Sequence, residues 1–410
     1  MQKWKNLIRS VAMFVFCGAL MASAQNEGGQ KVSEETSEQT LEETLEANLP
    51  AEEAETPSQP PVETPPPTPT PAPVAVSDKP DPKQLGVGTE GFFRPGILLQ
   101  GWFVAQRAEE TSTTFRLRRA ELHAKGDIVP GLISYAAMID PAKLLEFKDT
   151  TVNVKGADGS SVTVKQPGSS AVSILQDFFI TVKSPYVDIS LGQFKIPVSW
   201  EGYNSSSRIL FPERAMVSRE FGDKRDLGIR FSKNFKYFGY SAGVFNGAGQ
   251  NVLDVDNAKD IAVRLEAYPV QGLVIAGVAY MTLGSRKTNA KDRYEVDVRY
   301  ENGPFLFQAE YIRAHDVKNS APSVNGQGFY GAIAWTFLDV LQPCFRIGYM
   351  DPNVQLKTAA GGKDRSWQYD VGLNYYLRKH EVKFQLAYGR VQYRELKPSN
   401  EFILAGQVAF

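Results

Sequence analysis

Charged and apolar side chains alternate strictly along several stretches of this sequence. Between Arg293 and Tyr300, charged residues occupy every odd position, and Tyr or Val occupies every even position. A strand with this period presents one charged face and one apolar face. A charged face needs no nucleophile, metal ion or cofactor to act on solutes, because fixed charges in a water-filled pore bias which ions enter. These residues therefore indicate selective passage rather than catalysis.

The alternation gives a set of candidate pore-lining residues that lie opposite the apolar side chains of their strands. A charge on a lipid-facing side near the midplane would cost about 2 to 4 kcal/mol. The set comprises Arg119, Glu121, Lys125, Arg230, Arg264, Glu266, Arg299, Arg346 and Lys383, with Asp297, Glu310 and Asp370 among them. Opposed charges across a narrow lumen create a transverse field, and a surplus of positive charges favours anions. For any single residue, simple pairing with a neighbour along the wall is an equally good interpretation.

The segment from Pro197 to Arg225 is a candidate for folding into the lumen as its constriction. Its candidate constriction residues are Arg208, Arg214 and Arg219. Two further basic residues accompany them, and four acidic residues offset the five, which leaves a net charge of +1. The composition of this loop therefore does not determine ion selectivity.

Sixteen segments with this alternation predict an all-β, 16-stranded antiparallel transmembrane barrel. Their predicted starts are Gly96, Thr114, Leu132, Ile174, Val187, Asp226, Phe238, Asp260, Leu273, Arg293, Phe305, Gln327, Leu341, Trp367, Val382 and Glu401. Connections after even-numbered strands are tight and carry turn residues, whereas connections after odd-numbered strands are longer and polar. An even strand count with short and long connections in alternation is typical of outer-membrane barrels, and it places both chain ends in the periplasm.

The length of the barrel region agrees with this count. Gly91 to Phe410 is 320 residues, or 20 residues for each of 16 strands and its connection. A tilted spanning strand needs about 9 to 11 residues, so half of the region remains for loops. The last predicted strand ends at an aromatic residue, Phe410, as expected for a barrel inserted in the outer membrane.

Two segments precede the barrel region and differ from it in charge. Residues 1–24 have three basic residues, an apolar run and the small residues Ala22, Ser23 and Ala24, which predict a cleaved signal peptide. Residues 25–90 contain 14 acidic and three basic residues, with 12 prolines between Pro50 and Pro82, and predict an extended periplasmic linker. Removing these contributions of +3 and -11 from the total of -1 leaves +7 for residues 91–410.

Four motifs in the barrel region resemble the phosphate-selective porin O and P family, and they occur in the family's order. They are FRLRRAELHAKG from Phe115 to Gly126, LGQFKIPVSWE from Leu191 to Glu201, PER from Pro212 to Arg214, and KRDLG from Lys224 to Gly228. The resemblance covers residues 91–410 and implies a 16-stranded, trimeric, anion-preferring porin in the outer membrane of a Gram-negative bacterium. The expected partners are small anionic solutes and outer-membrane lipid, without nucleic acid.

Two other classes of function remain as alternatives. The linker could tether the barrel to the cell wall, which is compatible with transport. An outer-membrane hydrolase would need a histidine beside a nucleophile, but none of His123, His315 and His380 lies in a recognisable nucleophile motif. Cys344 is the only cysteine outside the predicted signal peptide, so neither a disulfide nor a cysteine zinc site is expected. We expect no enzyme activity, metal or cofactor.

Overall fold

The computed structural model describes residues 85–87, 91–107, 110–145, 149–155, 161–167, 174–254, 257–283, 290–317, 322–358 and 364–410. Sixteen antiparallel strands among these residues form a closed barrel in which each strand pairs with the next along the chain. This confirms the predicted fold class. The predicted signal peptide lies outside the described residues, as does the predicted linker except for residues 85–87. No helix in the described ranges combines the length and apolarity needed to cross a membrane.

The barrel strands are β2 to β4 and β7 to β19, and each corresponds to one predicted strand. The bounds of all strands are β1 Leu85–Val87, β2 Gly91–Arg107, β3 Thr111–Val129, β4 Ile133–Ile139, β5 Asp149–Lys155, β6 Ser161–Pro167, β7 Leu175–Val182, β8 Asp188–Lys195, β9 Arg225–Asn234, β10 Phe238–Phe245, β11 Lys259–Ala267, β12 Leu273–Leu283, β13 Lys291–Asn302, β14 Phe305–Asp316, β15 Val324–Trp335, β16 Leu341–Asp351, β17 Ser366–Arg378, β18 Val382–Tyr393 and β19 Ser399–Ala409. The short strand β1 pairs with the start of β2, and β5 and β6 form a separate hairpin. Two short α-helices, α1 Trp200–Tyr203 and α2 Met216–Phe221, lie between β8 and β9.

The ends of the barrel region close the ring. Strand β19 pairs antiparallel with β2, and the backbones of Ile97 and Phe410 exchange two hydrogen bonds of 3.0 Å. Closure satisfies the backbone groups that an open sheet edge would leave unpaired in lipid. The C-terminal residue is therefore part of the seam.

The burial pattern is that of a barrel with a polar interior. Along β17 the exposed residues are Trp367, Tyr369, Val371, Leu373 and Tyr375, and the buried residues are Ser366, Gln368, Asp370, Gly372, Asn374 and Tyr376. Because neighbouring side chains point to opposite faces of a strand, the apolar residues cover the outside and the polar residues face inwards. The outer surface thus suits lipid, as the alternation predicted.

The connections follow the predicted alternation with two exceptions, because the connection after β18 comprises only residues 394–398 and the connection after β2 is also short. Short turns follow β3, β7, β9, β11, β13, β15 and β17, and we call the end of the barrel that carries them the turn end. The opposite end, which carries the connections at 140–174 and 196–224, is the loop end. The connection between β2 and β3 was predicted to be long but consists only of residues 108–110. Strands β2 and β3 are instead extended to 17 and 19 residues, so residues expected in the loop prolong the hairpin.

Candidate pore constriction

Residues 196–224, which we call the inserted loop, fold back against the inner face of the barrel. Its backbone carbonyls accept hydrogen bonds from buried side chains on four strands. These bonds join Gln100 to Ser206, Gln407 to Ser207, Lys383 to Ile209, and both Asn374 and Gln385 to Leu210, with lengths of 3.0 to 3.3 Å. Because the donors come from β2, β17, β18 and β19, the loop spans the barrel interior rather than extending from its rim.

An apolar patch on the inner wall receives one side of the inserted loop. Leu210, Phe211, Ala215, Val217 and Phe221 form one buried cluster with wall residues Ile312, Ala314, Tyr330, Ala332, Ala334, Cys344 and Ala387. Gly372 lets the Phe211 ring of the loop approach the wall closely, since a Cβ at this position would lie 3.0 Å from the ring. Small inward-facing residues on β15 to β18 therefore leave the space that the loop fills, and burial of its apolar side chains stabilises the seated position.

Two buried carboxylates on the wall hold the beginning of the inserted loop. Glu295 on β13 accepts hydrogen bonds from the backbone N–H groups of Ser199 (2.5 Å) and Trp200 (3.2 Å). Glu310 on β14 accepts from the Glu201 N–H (3.4 Å) and from the Ser218 hydroxyl (3.2 Å). A helix begins with N–H groups that have no intrahelical partner, and in α1 these carboxylates satisfy those of Trp200 and Glu201, while the Ser199 hydroxyl accepts from Gly202.

Glu201 fastens the inserted loop both to itself and to β16. Its carboxylate accepts a hydrogen bond of 2.6 Å from the Ala215 N–H and lies 3.3 Å from the guanidinium of Arg346. Arg346 also pairs with Asp370 on β17 at 2.7 Å, and its guanidinium lies over the Phe211 ring. The predicted pore-lining residue Arg346 is thus a structural contact of the loop.

The opposite side of the inserted loop carries charges that face charges on the wall, and we call this group of seven side chains the eyelet. The eyelet consists of the cations Arg118, Arg119, Lys195 and Arg214 and the carboxylates Glu121, Glu213 and Asp223. Glu213 lies 3.1 Å from Arg118 and 3.9 Å from Arg119. Asp223 lies 3.2 Å from Arg214 and 3.5 Å from Lys195. Glu121 lies 3.9 Å from Arg119 and 3.3 Å from the imidazole of His123. Loop and wall therefore contribute opposed charges to the same narrow region.

The two loop carboxylates of the eyelet are strong acids in this environment. Burial alone would raise the pKa of Glu213, but the charges of Arg118 and Arg119 lower the pKa to about 2. Burial likewise opposes ionisation of Asp223, whereas Arg214 and Lys195 lower its pKa to about 2. Both side chains are consequently charged at neutral pH.

A β-bulge brings a second arginine of β3 into the eyelet. In the pairing of β2 with β3, Gln100 faces Arg119 and Gly101 faces Leu117, so Arg118 is the extra residue. Strict alternation would direct Arg118 and Arg119 to opposite faces, but both contact Glu213. Sequence reasoning missed Arg118 for this reason, although two adjacent arginines in an alternating strand are a signal for a bulge.

Among the predicted wall residues, Arg264 contacts the largest number of carboxylates. Its guanidinium lies 2.8 Å from Glu266, 2.8 Å from Asp297 and 3.5 Å from Glu295. The side chain is almost entirely buried, so these charges satisfy one another along the wall. Arg264 therefore fixes Glu295, which in turn holds the inserted loop.

A cavity of about 1130 Å³ opens at the turn end of the barrel. The inserted loop contributes Trp200 and Arg208 to its lining, and the wall contributes Arg299 and His380. The Arg299 guanidinium lies 3.1 Å from the centre of the Trp200 ring. Burial and the charges of Lys383 and Arg208 lower the pKa of His380 to about 4, so its imidazole is neutral at neutral pH. The predicted residues Arg208 and Arg299 thus lie in this vestibule rather than in the eyelet.

The remaining predicted residues are dispersed. Arg230 donates to the Tyr203 hydroxyl at 3.1 Å, and Lys383 is fully buried beneath the loop. Lys125 lies on the same strand face as Arg119 and Glu121 but is exposed, and Arg219 is exposed on α2. The structure therefore brings only Arg119, Glu121 and Arg214 of the predicted set into the eyelet. Arg118 joins them through the bulge, and Lys195, Glu213 and Asp223 complete the eyelet through contacts that no spacing in the sequence indicates.

The described histidines have partners that are not nucleophiles. His123 contacts Glu121, the His315 imidazole lies 2.7 Å from the Asn325 amide oxygen, and the His380 ring packs on Tyr376. These contacts provide no base for a serine or cysteine in the described part of the chain.

Comparison with known proteins agrees with this architecture. The family model described as phosphate-selective porin O and P matches residues 102–289 and 273–408. A search of the curated proteins finds no match.

Solved structures of outer-membrane proteins share the fold at low sequence identity. The trimer form of in-vitro folded OmpT from Vibrio cholerae is 12% identical, with 78% of this chain and 100% of that chain covered and a TM-score of 0.53. An anion-selective porin from Comamonas acidovorans is 10% identical, with coverages of 78% and 100% and a TM-score of 0.52. The outer membrane channel DcaP of Acinetobacter baumannii is 11% identical, with coverages of 80% and 99% and a TM-score of 0.52.

Proposed function

Since the chain belongs to the phosphate-selective porin O and P family, a family of non-enzymatic outer-membrane channels, we propose that it lets small hydrophilic solutes diffuse passively and prefers anions such as phosphate. The observation that carries this proposal is the inserted loop, which narrows the barrel interior beside a group of fixed charges. In such a constriction the fixed charges act on each solute that passes.

The balance of charge supports a modest preference for anions. The eyelet contains four cations and three carboxylates, and residues 91–410 carry a net charge of +7. Arg208 adds an exposed cation in the vestibule, and Lys125 adds another on the wall. Clefts with a surplus of one charge concentrate ions of the opposite sign.

We propose the following orientation and assembly in the outer membrane of a Gram-negative bacterium. The turn end faces the periplasm, because the short turns of outer-membrane barrels are periplasmic. Strand β2 begins and β19 ends at the turn end, so both chain termini are periplasmic as well. The expected assembly is a homotrimer, as in the trimer form of the Vibrio cholerae OmpT. Lipid covers the apolar outer surface.

Planar bilayer recordings of the purified protein test the proposed channel. A reversal potential measured under a KCl gradient should show that chloride is more permeant than potassium, and added phosphate should compete with chloride. Mild-detergent electrophoresis before and after heating tests the trimer. Absence of channel current, or a preference for potassium, would contradict the proposal.

The acidic, proline-rich composition of residues 25–90 favours a second role, contact with the cell wall. A chain lacking residues 25–90 but retaining the signal peptide separates the two roles. Tethering predicts impaired envelope integrity with unchanged conductance, whereas intact envelopes in the deletion strain would contradict it.

A further inference from the structure

The eyelet cations differ from free anion-binding groups because carboxylates of the chain itself already occupy them. Arg118 makes two contacts of 3.1 Å with Glu213, one through Nε and one through Nη2. Arg214 and Lys195 share Asp223. A small anion that approaches these cations must displace a carboxylate, which leaves that carboxylate without its partner. The cost of an unpaired, partly buried charge works against tight anion binding.

A solute that carries both a positive and a negative charge avoids the cost of leaving a carboxylate unpaired. Its carboxylate can take the place of Glu213 on the Arg118 guanidinium, while its ammonium group pairs with the displaced Glu213. Every charge remains paired during the exchange, and no ion is left desolvated alone. The carboxylates are accessible to such a solute, since the relative solvent exposure is 15% for the Glu213 side chain and 29% for the Asp223 side chain.

The arrangement also orients a dipolar solute. Of the seven eyelet side chains, the wall strands contribute Arg118, Arg119, Lys195 and Glu121, whereas the inserted loop contributes Glu213, Asp223 and Arg214. The wall side thus has a surplus of positive charge and the loop side a surplus of negative charge, which favours a zwitterion whose carboxylate faces the wall and leaves an uncharged solute unaffected.

We propose that the eyelet selects small zwitterions of the α-amino acid type, and that Glu213 and Asp223 are its specificity-determining residues. This inference rests on the proposed channel and adds small zwitterions to the solutes that pass through it. The two carboxylates have a second effect, which is to limit the preference for inorganic anions by offsetting the wall cations.

Proteoliposome swelling with alanine and with glycerol, an uncharged solute of similar size, tests the zwitterion preference. Wild-type protein should admit alanine faster than glycerol. The double variant Glu213→Gln with Asp223→Asn should lower the ratio of the alanine rate to the glycerol rate to about one. Glu381→Gln is the matched control, because it removes one carboxylate from an exposed turn and should leave both rates unchanged. Equal alanine and glycerol rates in the wild type, or an unchanged ratio in the double variant, would overturn the inference.

Reversal potentials of the single variants provide a second measurement. A unit charge about 6 Å from a permeating ion, in water with about 0.1 M salt, changes the local concentrations of both ions in opposite directions. Either Glu213→Gln or Asp223→Asn should therefore raise the chloride-to-potassium permeability ratio about threefold. An unchanged ratio in both would contradict the assignment of these residues.

The salt dependence of the wild-type rates tests the inference even if a variant fails to fold. Salt screens the charges of the eyelet. The ratio of the alanine entry rate to the glycerol entry rate should therefore fall when the KCl concentration rises on both sides of the liposome membrane. A ratio that is independent of salt would count against a charge-based eyelet. The proposed channel fails separately, since its failure would abolish glycerol entry and ionic current in the wild type.

Discussion

Removal of the Glu201 side chain is expected to release the inserted loop from the wall. Its carboxylate makes two charge-assisted contacts, one with the Ala215 N–H at 2.6 Å and one with Arg346 at 3.3 Å. Such bonds contribute about 1.5 to 3 kcal/mol each, so Glu201→Ala should cost the seated loop about 3 to 6 kcal/mol. Asp370 stays 2.7 Å from Arg346 and keeps that guanidinium paired, which places the cost near about 3 kcal/mol. Glu201→Gln retains one acceptor and should cost about half as much.

Amide hydrogen exchange at Met216, whose N–H donates to the Gln368 side chain on β17 at 3.0 Å, measures this release. A loss of about 3 kcal/mol should increase exchange through local opening about 100-fold. Single-channel conductance should rise in the same variant, because the loop no longer narrows the barrel. Glu381→Ala serves as the control and should change neither quantity, as expected for an exposed carboxylate. Unchanged protection at Met216 in folded Glu201→Ala would refute the role given to Glu201, as would an equal loss in the control.

Three further changes test other parts of the structure. Acidification below about pH 3 should increase anion preference, because the pKa values of Glu213 and Asp223 are about 2 and protonation removes their negative charge; an unchanged reversal potential between about pH 4 and about pH 2 would contradict this. Arg264→Met should destabilise the barrel by about 3 to 5 kcal/mol in urea unfolding from lipid vesicles, because the buried Glu295 and Asp297 and the half-buried Glu266 lose their shared cation; a stable variant would show that these carboxylates are protonated or hydrated. Gly372→Ala should increase conductance, because its Cβ would displace the Phe211 ring of the inserted loop; wild-type conductance would show that the wall can yield.

The eyelet carboxylates also affect stability in acid. Their pKa values are lowered in the folded state, so their contribution is complete above the ordinary pKa of a carboxyl group, near 4. It is lost as the pH falls from there towards about 2, when both become protonated. Acid should therefore loosen the inserted loop in the same pH range in which it changes ion selectivity.

The amino-acid sequence by itself determined the barrel. The alternation from Trp367 to Tyr376 requires a strand with one lipid-facing side, since the period of two depends only on backbone geometry and on the cost of charges in lipid. The same reasoning located all sixteen strands, and short turns such as residues 303–304 fixed their order. Local residue types were sufficient because each strand pairs with its neighbour in the chain.

The tertiary structure decided the constriction. Pairing with β2 created the bulge at Arg118, and this register shift depends on the partner strand rather than on β3 alone. The seat of the inserted loop depends on Gly372, Glu295 and Arg346, which lie on distant strands and meet only after the barrel closes. The net charge of +1 in residues 197–225 does not indicate whether this loop is exposed or inserted in the lumen. Which charges face each other across the lumen is a property of closure, because closure sets the distances that govern Coulomb energies.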